Sequence, residues 1–278
     1  MSDLRRIIWL ASYPKSGNTW TRIFLANYLA NPKKALTLDE MTKYSTGDAI
    51  ARNYHKVAGR QVDTKNLNQV LSLRESVLRS IVSNAADAYL VKTHYYRKKV
   101  NGIELIPPKF TRSSIYIIRN PLDLVLSSSR HSAISVEKAA EQICHDGKVT
   151  SPSEKTVPMI EGSWSEHVNS WTSFAPYPVL VVRYEDMIAD PRRSFGGMLS
   201  HLGIPVDEER LECAIRFASF EELKKQEKAS GFVEKPAHAE RFFAVGQKDQ
   251  WKTDLDPALA EMIRAKMGET MKRYGYLE

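Results

Sequence analysis

The stretch Arg6–Trp20 reads RIIWLASYPKSGNTW and changes character twice. Arg6–Ser12 is an almost continuous apolar run with β-branched and aromatic residues, which predicts a strand covered on both faces. Pro14, Ser16 and Gly17 then mark a tight turn. Beyond it, Trp20, Ile23, Phe24 and Tyr28 fall at i, i+3, i+4 and i+8, the apolar stripe of a helix. Strand, tight turn and helix N-terminus in this order make an anion site, because backbone N–H groups and the positive end of the helix dipole face one point. Gly17 allows close backbone approach, the Ser16 and Thr19 hydroxyls can donate, Asn18 is a further small polar residue, and Lys15 adds a full positive charge. The Walker pattern G-x-x-x-x-G-K-[ST] is absent, since Lys15 precedes the glycine. This is a phosphate loop of another kind.

Three further runs predict strands: Ala88–Thr93, Ser114–Ile118 and Val179–Arg183. Helical patterns lie between and beyond them, at Leu67–Ala85, Ser163–Phe174 and Met187–Leu202. Another opens at Asn120-Pro121, with asparagine as N-cap and proline at the first helical position. Such alternation predicts an α/β fold, a single domain over residues 1–278 with a central parallel sheet flanked by helices and a P-loop-like loop after its first strand. Ligands bind these sheets beyond the carboxyl ends of the strands. Residues at those ends therefore carry the most weight: Lys92-Thr93-His94 after the second strand, Arg119 after the third with Ser127 eight residues on, and Tyr184 after the fourth. Asn101–Thr111 and Gly147–Gly162 read as loops, the second long enough for a lid.

These strand-end motifs resemble, in order, those of the cytosolic-type sulfotransferase family. Tyr13–Trp20 (YPKSGNTW) is similar to the family's 5′-phosphosulfate loop, usually Tyr-Pro-Lys-Ser-Gly-Thr-Thr-Trp, with Asn18 for threonine as the single departure. The resemblance implies 3′-phosphoadenosine 5′-phosphosulfate (PAPS) as co-substrate, held by Lys15, Ser16, Gly17, Asn18, Thr19 and Trp20. In it Lys15 meets the leaving oxygen and Trp20 stacks on the adenine. Arg119 and Ser127 take the place of the family's 3′-phosphate clamp, a role suited to the guanidinium's fork of donors. His94 stands in the family's Lys-Thr-His setting, 25 residues before Arg119, which implies a general base with Lys92 as electrostatic helper. The other six histidines have no such setting and receive no role. Tyr184 matches the Tyr-Glu-Asp segment that helps hold the nucleotide, and Ser219-Phe220 the pair that closes over the adenine. Near the C-terminus Gly246 and Trp251-Lys252 match at the proper spacing. Ala244, however, stands where a 3′-phosphate arginine is expected, and Gln250 replaces an aspartate. One phosphate contact is then either absent or supplied by Arg241 or Lys248.

Composition agrees with a globular enzyme: 42% hydrophobic and 26% charged residues, with 40 basic against 33 acidic. A net charge of +7 is too modest to indicate a nucleic-acid partner. The two cysteines, Cys144 and Cys213, lack metal or disulfide spacing, and no metal site is expected. Without an apolar run long enough for a signal peptide or a membrane span, the chain reads as cytoplasmic. The expected partner is a small-molecule acceptor carrying a hydroxyl or, less favoured, an amine. Its pocket is expected around Ala35–Gln61, Asn101–Phe110 and Ser132–Glu166. A homodimer stays open, because the stretch matching the family's dimer motif, Lys252–Glu261, has Asp256 and Pro257 as its central pair. The rival readings are a phosphate-loop nucleotide kinase, which lacks its Walker lysine here, and a non-catalytic nucleotide- or RNA-binding module, which has no use for His94.

Overall fold

Every strand of the main sheet runs parallel to its neighbours, so the motifs that follow Ser12, Thr93, Ile118 and Arg183 emerge on one edge. The computed structural model describes residues 4–83, 86–236 and 238–277. Its strands are β1 (Ile7–Ser12), β2 (Thr46–Gly47), β3 (Tyr89–Thr93), β4 (Lys99–Val100), β5 (Ile103–Glu104), β6 (Thr111–Ile118) and β7 (Val179–Arg183). The helices up to β7 are α1 (Asn18–Ala30), α2 (Ala51–Ala58), α3 (Leu67–Val82), α4 (Pro121–Ser132), α5 (Val136–Cys144) and α6 (Trp164–Thr172). After it come α7 (Tyr184–Ala189), α8 (Pro191–His201), α9 (Glu208–Phe217), α10 (Phe220–Ser230), α11 (Trp251–Asp254) and α12 (Pro257–Arg273). The main sheet has the order β2-β3-β1-β6-β7, and β4 pairs with β5 in a small antiparallel hairpin.

β1 is the central strand and all six of its residues are buried. Its side chains alternate between two cores, as the two-residue period of a strand requires. Ile7, Trp9 and Ala11 join a core with α3, α5, α6 and α12, while Leu10 joins the opposite core with Ile23, Phe24 and Phe195. β6 divides likewise, Tyr116 and Ile118 to the first core, Ile115 and Ile117 to the second. The registers Ala11↔Thr93 and Ser12↔Ile117 set the ends of β1, β3 and β6 level. The chain leaves β1 toward β2 and β3 on one side and reaches β6 and β7 on the other, which opens a crevice at the strand ends.

Several boundaries differ from the sequence reading for physical reasons. β2 was not expected, because Thr46-Gly47 is too short to show a pattern. The helix expected over Met187–Leu202 is two helices, since Asp190 caps the second and Pro191, lacking an N–H, opens it. Asn120 caps α4 as expected, its side chain accepting from Leu122 N at 3.0 Å. For the helix expected over Leu67–Ala85, Asn84 and Ala85 lie outside the described residues, and α3 ends at Val82. Asp256 and Pro257 form the N-cap and first residue of α12, which is why they interrupt the dimer-like pattern.

One buried ion pair ties the β2–β3 edge to α3. Arg74 Nη2 donates to Asp48 Oδ2 at 2.7 Å, and both side chains are 1% exposed. Thr93 Oγ1 also donates to Asp48 at 2.8 Å, and Arg74 Nε donates to the Leu105 carbonyl at 2.6 Å. Removing one member strands the other's charge. Asp48→Ala is therefore expected to lower stability by about 3–5 kcal/mol in urea denaturation; a loss below about 1 kcal/mol would show that Arg74 finds water or another acceptor.

Candidate functional site

The loop between β1 and α1 is shaped by two residues with left-handed backbone, Lys15 (φ 70°) and Gly17 (φ 106°). For lysine that conformation is costly, and such cost collects where a side chain must be aimed. At Gly17 a Cβ would lie 2.8 Å from the Tyr184 ring, so only glycine lets the loop settle against that aromatic. The first N–H groups of α1 have no partner within the helix and face the loop. Around them, Ser16 Oγ, Arg22 Nε and Arg119 Nε are buried without hydrogen-bond partners among the described residues. Orphaned donors of this kind are satisfied by a ligand rich in acceptor oxygens. The residues present thus fit a phosphate- or sulfate-bearing group.

Most of the residues singled out from the sequence share one cleft of about 2320 Å³. Lys15, Gly17, Asn18, Thr19 and Trp20 enter it from the β1 loop; Lys92 and His94 from the end of β3. Arg119 follows the end of β6 and Ser127 lies on α4, Tyr184 opens α7 after the end of β7, and Phe220 and Gly246 come from the C-terminal third. Ser16 and Ser219 are not on its wall. The Ser219 hydroxyl caps α10 by accepting from Glu222 N at 3.3 Å. Asn18 turns back to β1, donating to the Leu10 carbonyl at 2.8 Å. Trp20 both lines the cleft and packs edge-on against Tyr184 and Phe195. Arg119 lies 4.3 Å over the Tyr184 ring and donates to the carbonyls of Lys15 (3.0 Å) and Gln247 (3.1 Å). Gly246 is also constrained, for a Cβ there would meet the Phe220 ring at 2.5 Å. Arg241 reaches the cleft rim with its side chain 64% exposed and beside Glu240, whereas Lys248 is exposed and off the wall.

His94 has a defined tautomer. Its Nδ1 is 2.7 Å from the Ser12 carbonyl, which can only accept, so Nδ1 carries the proton and Nε2 is left basic. Burial, and then the neighbouring Lys92 charge, hold its pKa well below the ordinary histidine value, which keeps the ring neutral. Lys15 is also shifted. Burial first, then Lys92 and Arg119, lower its pKa to about 8.

Four residues of the site carried no legible motif. Glu234 accepts from Arg22 Nη2 at 2.7 and 2.8 Å and from Lys92 Nζ at 3.3 Å. Burial pushes its carboxyl up, but the Lys92 and Arg22 charges outweigh that and bring it down to about 2. Arg22 itself is 5% exposed. His131, one of the histidines left without a role, has Nδ1 3.2 Å from Lys15 Nζ, and Phe242 packs under the same ammonium at 4.3 Å. Burial and the Lys15 charge lower the His131 pKa to about 4, so its Nδ1 is free to accept from that lysine. Arg130, on α4, is the fourth. Against expectation, Asn101–Phe110 contributes nothing to the cleft wall. The Gly147–Gly162 loop does line it but is pinned, by a bridge between Val149 and Ile160 and a 2.8 Å Lys148–Glu161 ion pair. Glu234, Phe242 and Gln247 instead reach over the site, to Arg22 and Lys92, to Lys15 and to Arg119 in turn.

A parallel α/β sheet with a phosphate-type loop at its central strand, and a neutral histidine beside it, puts an anion site and a side chain able to accept a proton in one cleft. The sequence profile of the sulfotransferase domain matches residues 5–275, and the chain belongs to that family. It is 28% identical to the 3-alpha-hydroxysteroid sulfotransferase of Cavia porcellus over 186 residues, 62% of this chain and 61% of that one. With the amine sulfotransferase of Oryctolagus cuniculus the identity is 24% over 287 residues, 96% of this chain and 81% of the relative. The fold is shared with mouse sulfotransferase SULT7A1 in complex with PAP, at TM-score 0.61 and 20% identity, covering 99% of this chain and 90% of that one.

Two titrations follow from the site. The loop lysine must be charged to meet an anion, so kcat/KM should fall as pH rises through about 8. Lys15→Arg, which stays charged, should move that fall well upward. No fall is expected between pH about 7 and about 6, because His94 remains neutral there. A steep loss of kcat/KM in that acidic interval would contradict the buried-neutral histidine.

Proposed function

We propose that this protein transfers a sulfuryl group from PAPS to a hydroxyl group of a small-molecule acceptor. The observation that carries the reading is the His94 Nδ1–Ser12 carbonyl hydrogen bond, which leaves a basic Nε2 beside the Lys15 loop. PAPS supplies an activated sulfuryl group, and its transfer resembles phosphoryl transfer, with charge growing on the leaving oxygen. Lys15 meets that charge, and Lys92 adds positive potential at the same end of the cleft. The N-terminus of α1, with Ser16 and Thr19, holds the 5′ end, and Arg119 with Ser127 holds the 3′-phosphate. Trp20, Tyr184 and Phe220 flank the adenine. His94 accepts the proton of the acceptor hydroxyl as it attacks, a role its neutral, oriented ring suits. No step calls on a metal, because ammonium, guanidinium and backbone dipoles supply the charge stabilisation.

The free thiols of Cys144 and Cys213 suit a reducing, cytoplasmic compartment, and no helix among the described residues is long and apolar enough to cross a membrane.

Adenosine 3′,5′-bisphosphate (PAP) should raise the melting temperature, whereas ATP with magnesium and RNA should not. A shift with ATP and magnesium alone would favour the kinase reading. His94→Ala should bind PAP nearly as well as the parent while turnover with PAPS and an aliphatic alcohol drops about 10²–10⁴-fold. Lys15→Ala should lose both turnover and affinity. Full turnover in His94→Ala would remove the general base, and equal loss of PAP affinity in the two variants would make His94 part of the nucleotide site.

A further inference from the structure

The α4 face made by Asp123, Ser127 and Arg130 looks at the turn 247–251. Asp123 accepts from the N–H groups of Asp249 (2.8 Å) and Trp251 (3.0 Å), which fastens that turn to the helix. Within the turn the Gln247 carbonyl accepts from Arg119 Nη2 and also from Gln250 Nε2 at 3.0 Å. The Gln250 amide oxygen in turn accepts from Arg130 Nη2 at 3.0 Å. Two guanidiniums from different elements are thus held through one turn, and both line the cleft.

The partners of these guanidiniums are all neutral: backbone carbonyls and a side-chain amide. Of the nearby acids, Asp254 accepts from the Thr253 hydroxyl and Asp123 from backbone N–H groups. Burial, and then the facing Arg119 charge, pull the Arg130 pKa down from its ordinary value. Arg130 is likewise one of the charges that lower Lys15. Asp254 and Asp123 offset part of the repulsion at Arg130, but no carboxylate among the described residues is ion-paired with either guanidinium. Two like charges held together in this way make a place for an anion. The Arg119 Nε, buried and without a partner, adds a donor on the same side. Ser127 sits one helical turn before Arg130, on the same face of α4.

We infer that Arg130 is the second cation of the 3′-phosphate subsite, and that Gln250 aims it there without neutralising it. The inference rests on the PAPS reading above. It assigns the contact to a residue of α4 that the Gln250 amide holds in place, and not to Arg241, which lies beside Glu240, or to Lys248, which is off the cleft wall. It also gives Gln250 a reason to be an amide, since a carboxylate at that position would compete with the phosphate for Arg130.

The test is calorimetric titration of the parent, Arg130→Ala and Gln250→Glu with PAP and with adenosine 5′-monophosphate, which lacks the 3′-phosphate. Arg130 lies at the cleft mouth on the surface of α4, so the alanine variant should melt at the parental temperature without ligand. Arg130→Ala should lose about 10- to 100-fold in PAP affinity, the worth of a charge-assisted hydrogen bond, with little change for the monophosphate. Gln250→Glu should weaken PAP in the same selective way. If the parent prefers PAP but both variants keep the full preference, Arg130 is not in the subsite. A parallel loss of both nucleotides would likewise overturn the assignment. If the parent itself does not prefer PAP over the monophosphate, it is the PAPS reading that fails.

Discussion

Crowding of positive charge in a buried cleft is the constraint on which the rest of the site depends. Lys15, Lys92, Arg22 and Arg119 converge where β1, β3 and β6 end, and each would repel the others in a medium that screens poorly. Burial first, and then repulsion by the Lys92 and Arg119 charges, bring the Lys15 pKa down to about 8. Glu234 offsets part of it by bonding to both Arg22 and Lys92, and neutral acceptors on the turn at Gln247 restrain Arg119. A site balanced in this way retains net positive charge and orphaned donors, which is what an anionic ligand needs. The same contacts hold Glu234 and the turn at Gln247 against the cleft, so electrostatics and closure of the site are one arrangement.

The sheet makes this convergence possible at little local cost. Because β1 is central and parallel to both neighbours, three separate strand-to-helix or strand-to-loop exits open on one edge. Close packing of backbone on aromatic rings then sets the loop positions. At Gly17 against Tyr184 and at Gly246 against Phe220 a Cβ would run into an aromatic ring, and these two contacts bracket the region assigned to the nucleotide.

What the sequence disclosed was the part of the site encoded locally. The YPKSGNTW loop, the Lys-Thr-His end of β3 and the Arg-Asn-Pro end of β6 each combine a strand, a stop and a helix or turn in consecutive residues. Their chemistry can be read without knowing what faces them. Arg22, His131, Glu234 and Arg130 could not be read in that way. Glu234 meets Arg22 across 212 residues, and His131 meets Lys15 across 116. Nothing in their own neighbourhoods distinguishes them from solvated charges on a helix or loop. The Met187–Leu202 helix failed for a different reason, since an apolar period continued across Asp190-Pro191 although the proline cannot accept a helix interior. Asn101–Phe110 was expected at the pocket because it is a loop, yet its hairpin packs elsewhere.

The most direct test of the whole account is a crystal structure of the protein with PAP. The 5′-phosphate should lie at the N-terminus of α1 within hydrogen-bond reach of Ser16 Oγ and the loop N–H groups, with the 3′-phosphate against Arg119. Phosphates found away from the β1 and β6 ends, with Arg119 still donating only to the Lys15 and Gln247 carbonyls, would contradict it.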